Sequence, residues 1–291
     1  MKAGFIGAGK VGFSLGKYLK DGGVTVTGYY SRSIESAAEA AEFTDTGYYE
    51  NLADIARDSD TLFVTVPDGM IGNVWKELRN LPIKNKNICH CSGSISSAVF
   101  FDAEEKGACA YSVHPLYAVS DRKSSYKGLA EAYFAIEGSD GNLSYIKESF
   151  ESLGNKVITM PEDKKALYHC AAVTVSNHMT ALFDIGVEML TNCGFDHESA
   201  ERALAPLIRG NAANIAENGA VRSLTGPVER GDFKTVQNHI KALQGFDEKQ
   251  ELIYRLLSER LLKIAERKHP DRDYGKMRET IEKTYRLGKN I

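Results

Sequence analysis

The first half of the chain alternates two hydrophobic patterns. Short runs rich in β-branched and aromatic residues predict strands, and the runs between them place apolar residues three or four positions apart, as helices do. This alternation predicts a doubly wound, mostly parallel sheet with helices on both faces. The predicted strands are KAGFIG, VTVTGYY, TLFVTV, NICHCS, ACAYSV, AYFAIE and KVITM, and the predicted helices are VGFSLGKYLKDG, IESAAEAAEF, MIGNVWKELRNL, SSAVFFDAEEKG and NLSYIKESFESLG.

From Pro161 onward the β-rich runs stop and only helical spacing remains. The segment KKALYHCAAVTVSNHMTALFDIGVEMLTNCG predicts one long helix that ends at Gly194. Three later segments are also helical: SAERALAPLIRGNAANIAENG, FKTVQNHIKALQ and EKQELIYRLLSERLLKIAERK. The pattern therefore predicts an α/β domain over residues 1–161 and an all-α domain over residues 162–291.

The N-terminal segment GFIGAGKVGFSLGKYL has the GxGxxG spacing between a predicted strand and a predicted helix. In that context the first glycine permits a tight turn, the second lets a pyrophosphate approach the backbone, and the third brings helix and strand together. The anion would lie at the positive N-terminus of the helix. The segment predicts a Rossmann dinucleotide-binding domain whose cofactor contacts include Gly7, Gly9, Lys10, Val11 and Gly12.

The end of the second predicted strand decides which dinucleotide is bound. A site for NAD usually has a carboxylate there for the ribose 2′-hydroxyl, whereas this chain has Ser31, Arg32 and Ser33. A guanidinium flanked by hydroxyls suits a 2′-phosphate, so the segment predicts NADP(H). As an alternative, Arg32 is a solvated loop residue and Ser33 caps the next helix.

Two further strand ends are candidates for the nicotinamide side of the site. Ligands of open α/β sheets lie outside the carboxyl ends of the strands. One predicted strand ends with Val66, Pro67 and Asp68, and another ends with Ser92, Gly93 and Ser94. We expect these strand ends to line the nicotinamide side of the site, with Val66, Pro67 and Ser92 in contact with the cofactor, although turn formation alone would also explain their residue types.

Composition narrows the functional classes. The chain has 291 residues, a net charge of −3 and no long basic tract, which disfavours a nucleic-acid-binding protein. No hydrophobic run approaches the length of a membrane span, and the N-terminus has no signal-peptide pattern. The five cysteines are an odd number without metal-site or disulfide spacing, so we expect a cytoplasmic protein without a bound metal.

The motifs GxGxxG, SRS, TVPD, HCSGS, SVHPLY and LTGPVERGD occur in this order along the chain. In this the chain resembles a family of Rossmann-like NADP oxidoreductases with a C-terminal helical domain of unknown function, within the 6-phosphogluconate dehydrogenase-like superfamily. Some members look like alternative ketopantoate reductases. The resemblance covers the whole chain and implies NADP(H), oxidation or reduction at a carbonyl group, and a homodimer formed through the helical domain.

One departure from the superfamily concerns the proton donor. The hydroxyacid dehydrogenases and the usual ketopantoate reductases carry a lysine four residues before an asparagine, but here Val173 precedes Asn177 at that distance. The lysine acid is therefore not carried over. On the long predicted helix, His169, Asn177 and nearby polar residues share one face, and the opposite face is apolar and predicted to pack. We expect His169 to act as the general acid and Asn177 to bind the substrate oxygen.

A second candidate acid is His114, which ends a predicted strand and is followed by a proline. Prephenate dehydrogenases resemble the chain in having an HP pair at this place. An imidazole with a near-neutral pKa would serve as the proton donor at either position. The alternatives are a hydrogen-bonded helix contact for His169 and a structural histidine for His114.

The segment SLTGPVERGD interrupts the helical half with two glycines and a proline. A turn capped by Asp232 explains part of it, but Thr225 and Arg230 are left as candidate substrate contacts, with Arg230 suited to a carboxylate. Arg230 paired with Asp232 or Glu229 is the alternative. His239, in the next helix, is a further candidate substrate contact, although a position at the core boundary is favoured.

The sequence therefore predicts an NADPH-dependent oxidoreductase that reduces a small 2-oxo acid by hydride transfer, as a ketopantoate reductase does. An imine, prephenate-type or deazaflavin-linked NADP oxidoreductase is the alternative enzyme. An NADPH-binding sensor or scaffold without catalysis is the alternative of another class.

Overall fold

A computed structural model describes residues 1–282 of the chain, which divide into two compact units, Met1–Asn177 and the part that begins at His178. The first unit contains an eight-stranded sheet in the order β3-β2-β1-β4-β5-β6-β7-β8. Every neighbouring pair is parallel except β6 and β7. The strands are β1 (Lys2–Ile6), β2 (Thr25–Tyr30), β3 (Gly47–Tyr49), β4 (Thr61–Val64), β5 (Asn87–His90), β6 (Cys109–Pro115), β7 (Tyr133–Gly138) and β8 (Lys156–Thr159).

The helices confirm the predicted α/β and all-α parts of the chain. The first unit contains α1 (Lys10–Asp21), α2 (Ile34–Thr44), α3 (Leu52–Asp58), α4 (Asp68–Leu78), α5 (Leu143–Glu151) and α6 (Lys165–Val175). The second contains α7 (Asn177–Asn192, which begins at the last residue of the first unit), α8 (His197–Ser223), α9 (Pro227–Arg230), α10 (Phe233–Gln244), α11 (Glu248–Lys268) and α12 (Gly275–Glu282).

Short elements account for most of what the sequence pattern misses. The strand β3 has three residues and α3 has seven, too few to show a clear period. The segment SSAVFFDAEEKG, predicted as a helix, forms only a 3₁₀ turn over Ser97–Phe100. Its polar side chains bond to other elements instead, because Ser97 binds Glu137 and Asp102 accepts from Trp75 and Arg79.

The prediction of one helix from Lys164 to Gly194 is wrong. The backbone leaves helical geometry at Ser176 (φ −112°, ψ −76°), so α6 ends there and α7 starts anew. The apolar side expected to pack is also exposed within the chain, since Val175 is 71% and Leu182 43% accessible. The first unit extends beyond the predicted boundary at residue 161 because Lys165 and Tyr168 of α6 contact the sheet.

The parallel strands determine where ligands would bind. The central strands β1, β4 and β5 are parallel and adjacent, so the loops that follow them lie at one edge of the sheet. Phe5 stacks between Tyr29 and Phe63, with centroid distances of 5.2 and 5.3 Å, and anchors this part of the sheet on one face. Among the described residues, no helix has the length and apolar character needed to cross a membrane.

Candidate functional site

Two glycines at the loop after β1 stand where a side chain would not fit. Gly7 has φ +108°, and a Cβ there would lie 2.9 Å from the carbonyl of Thr65. At Gly12 a Cβ would lie 2.5 Å from the carbonyl oxygen of Gly7, so α1 packs directly on the loop. Gly9 provides no side-chain cap, which leaves the N–H groups of Lys10 and Val11 directed toward an incoming anion.

A cavity of about 280 Å³ adjoins this loop. Arg32 at its rim is exposed and makes no hydrogen bond or ion pair within residues 1–282, so its guanidinium is available to an anion. Ser33 caps α2 by accepting from the N–H of Ser36 at 3.2 Å, as the alternative interpretation of this residue required. The predicted cofactor residues that line the cavity are Gly7, Gly9, Ser31, Arg32, Val66 and Pro67.

The loop that follows β5, residues 92–97, is held by polar groups from several elements. The hydroxyl of Ser92 donates to Asp68 of α4 at 2.7 Å. His90 accepts from the N–H of Ser92 at 3.2 Å through Nδ1 and lies 3.2 Å from the carbonyl of Ser96 through Nε2. His90 is therefore the Nε2–H tautomer, and burial lowers its pKa to about 4. It serves to shape the loop.

A buried ion pair holds the same loop from the opposite side. Lys165 of α6 is 3% accessible, and its Nζ donates to the hydroxyl of Ser112 and lies 3.9 Å from Glu137. Ser112 in turn donates to the carbonyl of Ser92 at 3.3 Å. Glu137 accepts from both the N–H and the hydroxyl of Ser97, at 2.9 and 2.7 Å. The two charges thus fix the two ends of the loop.

Two histidines converge on Gly93 in the middle of this loop. A Cβ at Gly93 would lie 2.7 Å from Cδ2 of His169 and 2.9 Å from Nε2 of His114. Behind His114, its Nδ1 lies 2.7 Å from the hydroxyl of Tyr168. The first unit therefore brings together the two histidines that the sequence singles out, at the end of the sheet where the glycine loop also lies.

Electrostatics corrects one expectation about His114. Burial, and then the nearby charges of Lys165 and His169, lower the pKa of His114 to about 4. The prediction of a near-neutral pKa for this imidazole is wrong. Burial disfavours the protonated ring, and the ammonium group of Lys165 repels its positive charge. Burial also raises the pKa of Tyr168 to about 12, so its phenol keeps its proton at neutral pH. At pH 7 the pair consists of a neutral imidazole and a neutral phenol.

The remaining predicted residues lie elsewhere in the two units. Asn177 is exposed, and its Oδ1 accepts from Ser176 at 3.0 Å. His169 is on α6 and Asn177 is the first residue of α7, so the two residues lie on different helices.

In the second unit, Thr225 and Arg230 are exposed. Glu229 pairs with His269 and Arg272, and Asp232 caps α10, so neither acid forms an ion pair with Arg230 within the described residues. The side chain of Arg230 is exposed, and its charge, after the hydrogen bonds from Thr235, contributes to lowering the pKa of Asp232. His239 is not at the core boundary: it is exposed, and its Nδ1 lies 2.8 Å from the hydroxyl of Tyr254.

Sequence reasoning selects Gly93 as part of a strand end at the site but misses three residues of this cluster: Glu137, Lys165 and Tyr168. A signal for Lys165 and Tyr168 was present, because Lys165, Tyr168 and His169 are spaced three and four apart and share one face of a helix. Glu137 carries no such signal, because it lies near the end of a strand, where an acid is usually solvated.

Comparisons with known proteins agree with this architecture. Family models match residues 1–115 as a Rossmann-like domain and residues 132–261 as the domain of unknown function DUF2520. Curated proteins give no match. The chain therefore has a Rossmann-like domain followed by a DUF2520 domain, which confirms the family recognised from the motifs.

Solved structures match most of the chain. TM1727 from Thermotoga maritima is 28% identical, with 91% of this chain and 98% of that chain covered and a TM-score of 0.73. A proposed NADP oxidoreductase, BF3122 from Bacteroides fragilis, is 24% identical over 90% and 98% of the two chains, with a TM-score of 0.68. A reductive aminase from Aspergillus terreus is 16% identical over 90% and 93%, with a TM-score of 0.61.

Proposed function

We propose that this protein is an NADPH-dependent oxidoreductase that reduces a small 2-oxo acid, with ketopantoate as the leading substrate. The observation that carries the proposal is the convergence of His114 and His169 on Gly93, beside the loops that end β1 and β4. The structural neighbours support the cofactor, since one is a pyrroline carboxylate reductase with NADP bound and another a reductive aminase in complex with NADPH.

The glycine loop fits a dinucleotide. A Cβ at Gly7 or Gly12 would clash with Thr65 or with the loop itself, so these glycines permit the tight turn and the close packing of α1 that a dinucleotide site needs, and the exposed Arg32 matches a 2′-phosphate. NADPH bound there supplies the hydride. The chain supplies the binding groups, the ordered loop around Gly93 and a proton for the oxygen that becomes negative.

His114 suits the role of donor in its neutral form. Its Nε2 makes no hydrogen bond within residues 1–282 and faces Gly93, so an N–H at that position is free to bind a substrate oxygen. A neutral imidazole is an effective electrophile for a carbonyl group. His114 would give its Nε2 proton to the substrate oxygen as that oxygen becomes negative, the phenolic proton of Tyr168 would pass to Nδ1, and the phenolate would regain a proton from water before the next turnover. His169 and Asn177 remain candidates for further substrate contacts.

The cofactor assignment is tested with Arg32→Ala. Loss of a charge-assisted contact is expected to cost about 1.5–3 kcal/mol in NADPH binding, with little change for NADH. Lys20→Ala, which removes a half-buried positive charge from the far end of α1, is the control. Equal losses for NADPH and NADH, or none, would contradict a 2′-phosphate contact.

The reaction is tested by measuring NADPH oxidation with a panel of small 2-oxo acids, cyclic imines and a deazaflavin. Turnover of ketopantoate, weakened by Arg230→Ala through a raised KM, would support the 2-oxo acid and the role of Arg230. Tight NADPH binding without turnover of any compound would favour a sensor instead.

An imine substrate is a second candidate, favoured by Asp68. Its carboxylate is exposed and is held by Ser92 and Ser94 at 2.7 and 3.0 Å, in contact with the loop that contains Gly93. A carboxylate there suits a protonated imine better than a 2-oxo acid. Asp68→Asn is expected to reduce imine turnover and to spare the reduction of a 2-oxo acid.

A homodimer formed through the second unit is also proposed. In a single chain several large apolar side chains of α7, α8 and α11 are exposed, which is unusual without a partner. Sedimentation of the wild type and Leu207→Glu would test this, with Glu217→Lys as a control for changed charge. The exposed side chains are Leu182, Leu207, Ile215, Leu252, Leu256 and Leu257.

We further expect a cytoplasmic protein that binds neither nucleic acid nor membranes.

A further inference from the structure

We propose that Tyr168 is a positioning residue: its hydroxyl donates to Nδ1 of His114 and so holds the imidazole in the tautomer whose Nε2–H faces Gly93. The inference rests on the proposed role of His114 in the reduction. It adds a residue that sequence reasoning did not select, and it assigns the protons of the pair.

The geometry of the pair suits one strong hydrogen bond. The hydroxyl oxygen of Tyr168 lies 2.7 Å from Nδ1 of His114, and the two rings are nearly perpendicular, with centroids 5.6 Å apart and an angle of 87°. Tyr168 is on α6 and His114 at the end of β6, so the contact also ties the helix to the sheet. The backbone of His114 is fixed by its pairing with Ala135 of β7.

A count of donors and acceptors decides the direction of this bond. Within residues 1–282 the hydroxyl of Tyr168 has no other partner. If Nδ1–H donated to Tyr168, both the phenolic proton and the Nε2 lone pair would lack partners in a half-buried place, and each such group costs about 1–3 kcal/mol. If Tyr168 donates, its hydroxyl and Nδ1 satisfy each other, and Nε2–H, which points at Gly93, is the one group of the pair without a partner in the described part of the chain.

The charges around His114 keep both groups in the required protonation state. The charged or titratable groups that face it are Lys165 and His169 of α6, Asp68 of α4 and His90 of β5. Burial and the cations lower the pKa of His114 to about 4, against a smaller opposite effect of Asp68. The neutral ring therefore carries a single proton at neutral pH, and the tautomer decides whether that proton is on Nδ1 or on Nε2.

The functional consequence is a site with a fixed polarity. An Nε2–H toward the substrate binds an oxygen or nitrogen lone pair and disfavours groups that must donate. The opposite tautomer would present a lone pair and repel the oxyanion that forms during reduction. Tyr168 thus acts through His114 and needs no contact with the substrate.

The test is the nitrogen-15 spectrum of the imidazoles in uniformly labelled, ligand-free protein at pH 7, since protonated and bare ring nitrogens have well-separated shifts. We expect His114 to be almost entirely Nε2–H in the wild type. In Tyr168→Phe the ratio of Nε2–H to Nδ1–H is expected to fall about tenfold, because one hydrogen bond is lost. Tyr254→Phe is the matched control and should affect His239 alone.

A wild-type His114 protonated on Nδ1 would overturn the inference, and so would an unchanged ratio in Tyr168→Phe. The signals of His90, a buried histidine of the same unit, show in the same spectra whether that unit is folded in the variant, and the wild-type tautomer is decisive by itself. A different outcome concerns the proposed function: if the tautomer shifts as expected but His114→Gln retains full turnover of ketopantoate, the positioning of His114 stands and its role in catalysis does not.

Discussion

Each unit of the chain contains a histidine paired with a tyrosine, and the two pairs have almost the same local geometry. The Nδ1–hydroxyl distances are 2.7 Å for His114 and 2.8 Å for His239, and the rings are inclined at 87° and 86°. Their surroundings differ. His114 is partly buried beside Lys165 and Gly93, whereas His239 is exposed. A histidine paired with a tyrosine therefore does not by itself indicate a catalytic site. The buried charge of Lys165 and the ordered loop around Gly93 distinguish the pair that contains His114.

The strongest test of the difference between the two pairs is to remove each imidazole in turn. His114→Gln is expected to lower kcat for NADPH oxidation by about 10²–10⁴, the usual contribution of a positioned proton donor. His239→Gln should leave kcat nearly unchanged and raise KM if this residue contacts the substrate. Similar losses of kcat in both variants would contradict the distinction between the pairs.

The role of the loop is tested at Gly93. Because a Cβ there would meet both histidines within 3 Å, Gly93→Ala should displace an imidazole and cost about 10² in kcat, as misplacement of a catalytic group by about 1 Å does. Gly69→Ala is the control, since a Cβ at Gly69 meets nothing within 4 Å. NADPH affinity should be preserved in both. Full activity of Gly93→Ala would show that the histidines do not act at this loop.

Acid stability offers a third test of the buried pair. The folded pKa of His114, about 4, is below the ordinary value of 6.5, so the unfolded chain binds the extra proton first. Stability is therefore complete above pH 6.5 and decreases as the pH falls toward 4, by at most about 1.4 kcal/mol per pH unit for this group. The free energy of unfolding, measured with urea at pH 7, 6 and 5, should decrease less with falling pH in His114→Gln than in the wild type. The same decrease in both proteins would place the imidazole in a more solvated environment.

The smallest expected change is in the pKa of His114 when Lys165 is replaced, although the replacement also lowers stability because Glu137 loses its partner. Lys165→Met should raise the pKa of His114 only part of the way toward 6.5, because burial is the larger cause of the shift and remains. Lys164→Met removes a neighbouring but exposed ammonium group, which pairs with Asp163, and is expected to leave the pKa unchanged. An NMR titration of His114 measures both, and equal shifts in the two variants would argue against a specific effect of Lys165.

The cofactor loop was predictable from sequence and the histidine cluster only in part, for a physical reason. The turn at Gly7 and the first turn of α1, which contains Gly12, are formed by consecutive residues, so their spacing appears directly in the sequence, although both glycines also pack against Thr65. The contact between His114 and Tyr168 joins residues 54 positions apart, and it depends on where α6 meets the sheet. Periodicity gives the face of a helix but not the strand against which that face packs.

The helix break at Ser176 shows the same limit. Nothing in VTVSNHM requires an interruption, because serine and asparagine occur in helix interiors. In the folded chain, the hydroxyl of Ser176 bonds both Ala172 and Asn177, and the backbone turns away from helical geometry. Local competition of this kind is decided by tertiary context, so the sequence alone favours a continuous helix.

The buried pair of Lys165 and Glu137 also limits which substitutions at these two positions can be tolerated during evolution. Removing one partner leaves an unpaired charge in the interior, which typically costs 3–5 kcal/mol, whereas replacing both by apolar residues of similar volume is often tolerated. Positions 137 and 165 are therefore expected to vary together among related sequences. Wherever both become apolar, the two ends of the loop around Gly93 lose their common anchor, and such relatives should have lost the activity while keeping the fold.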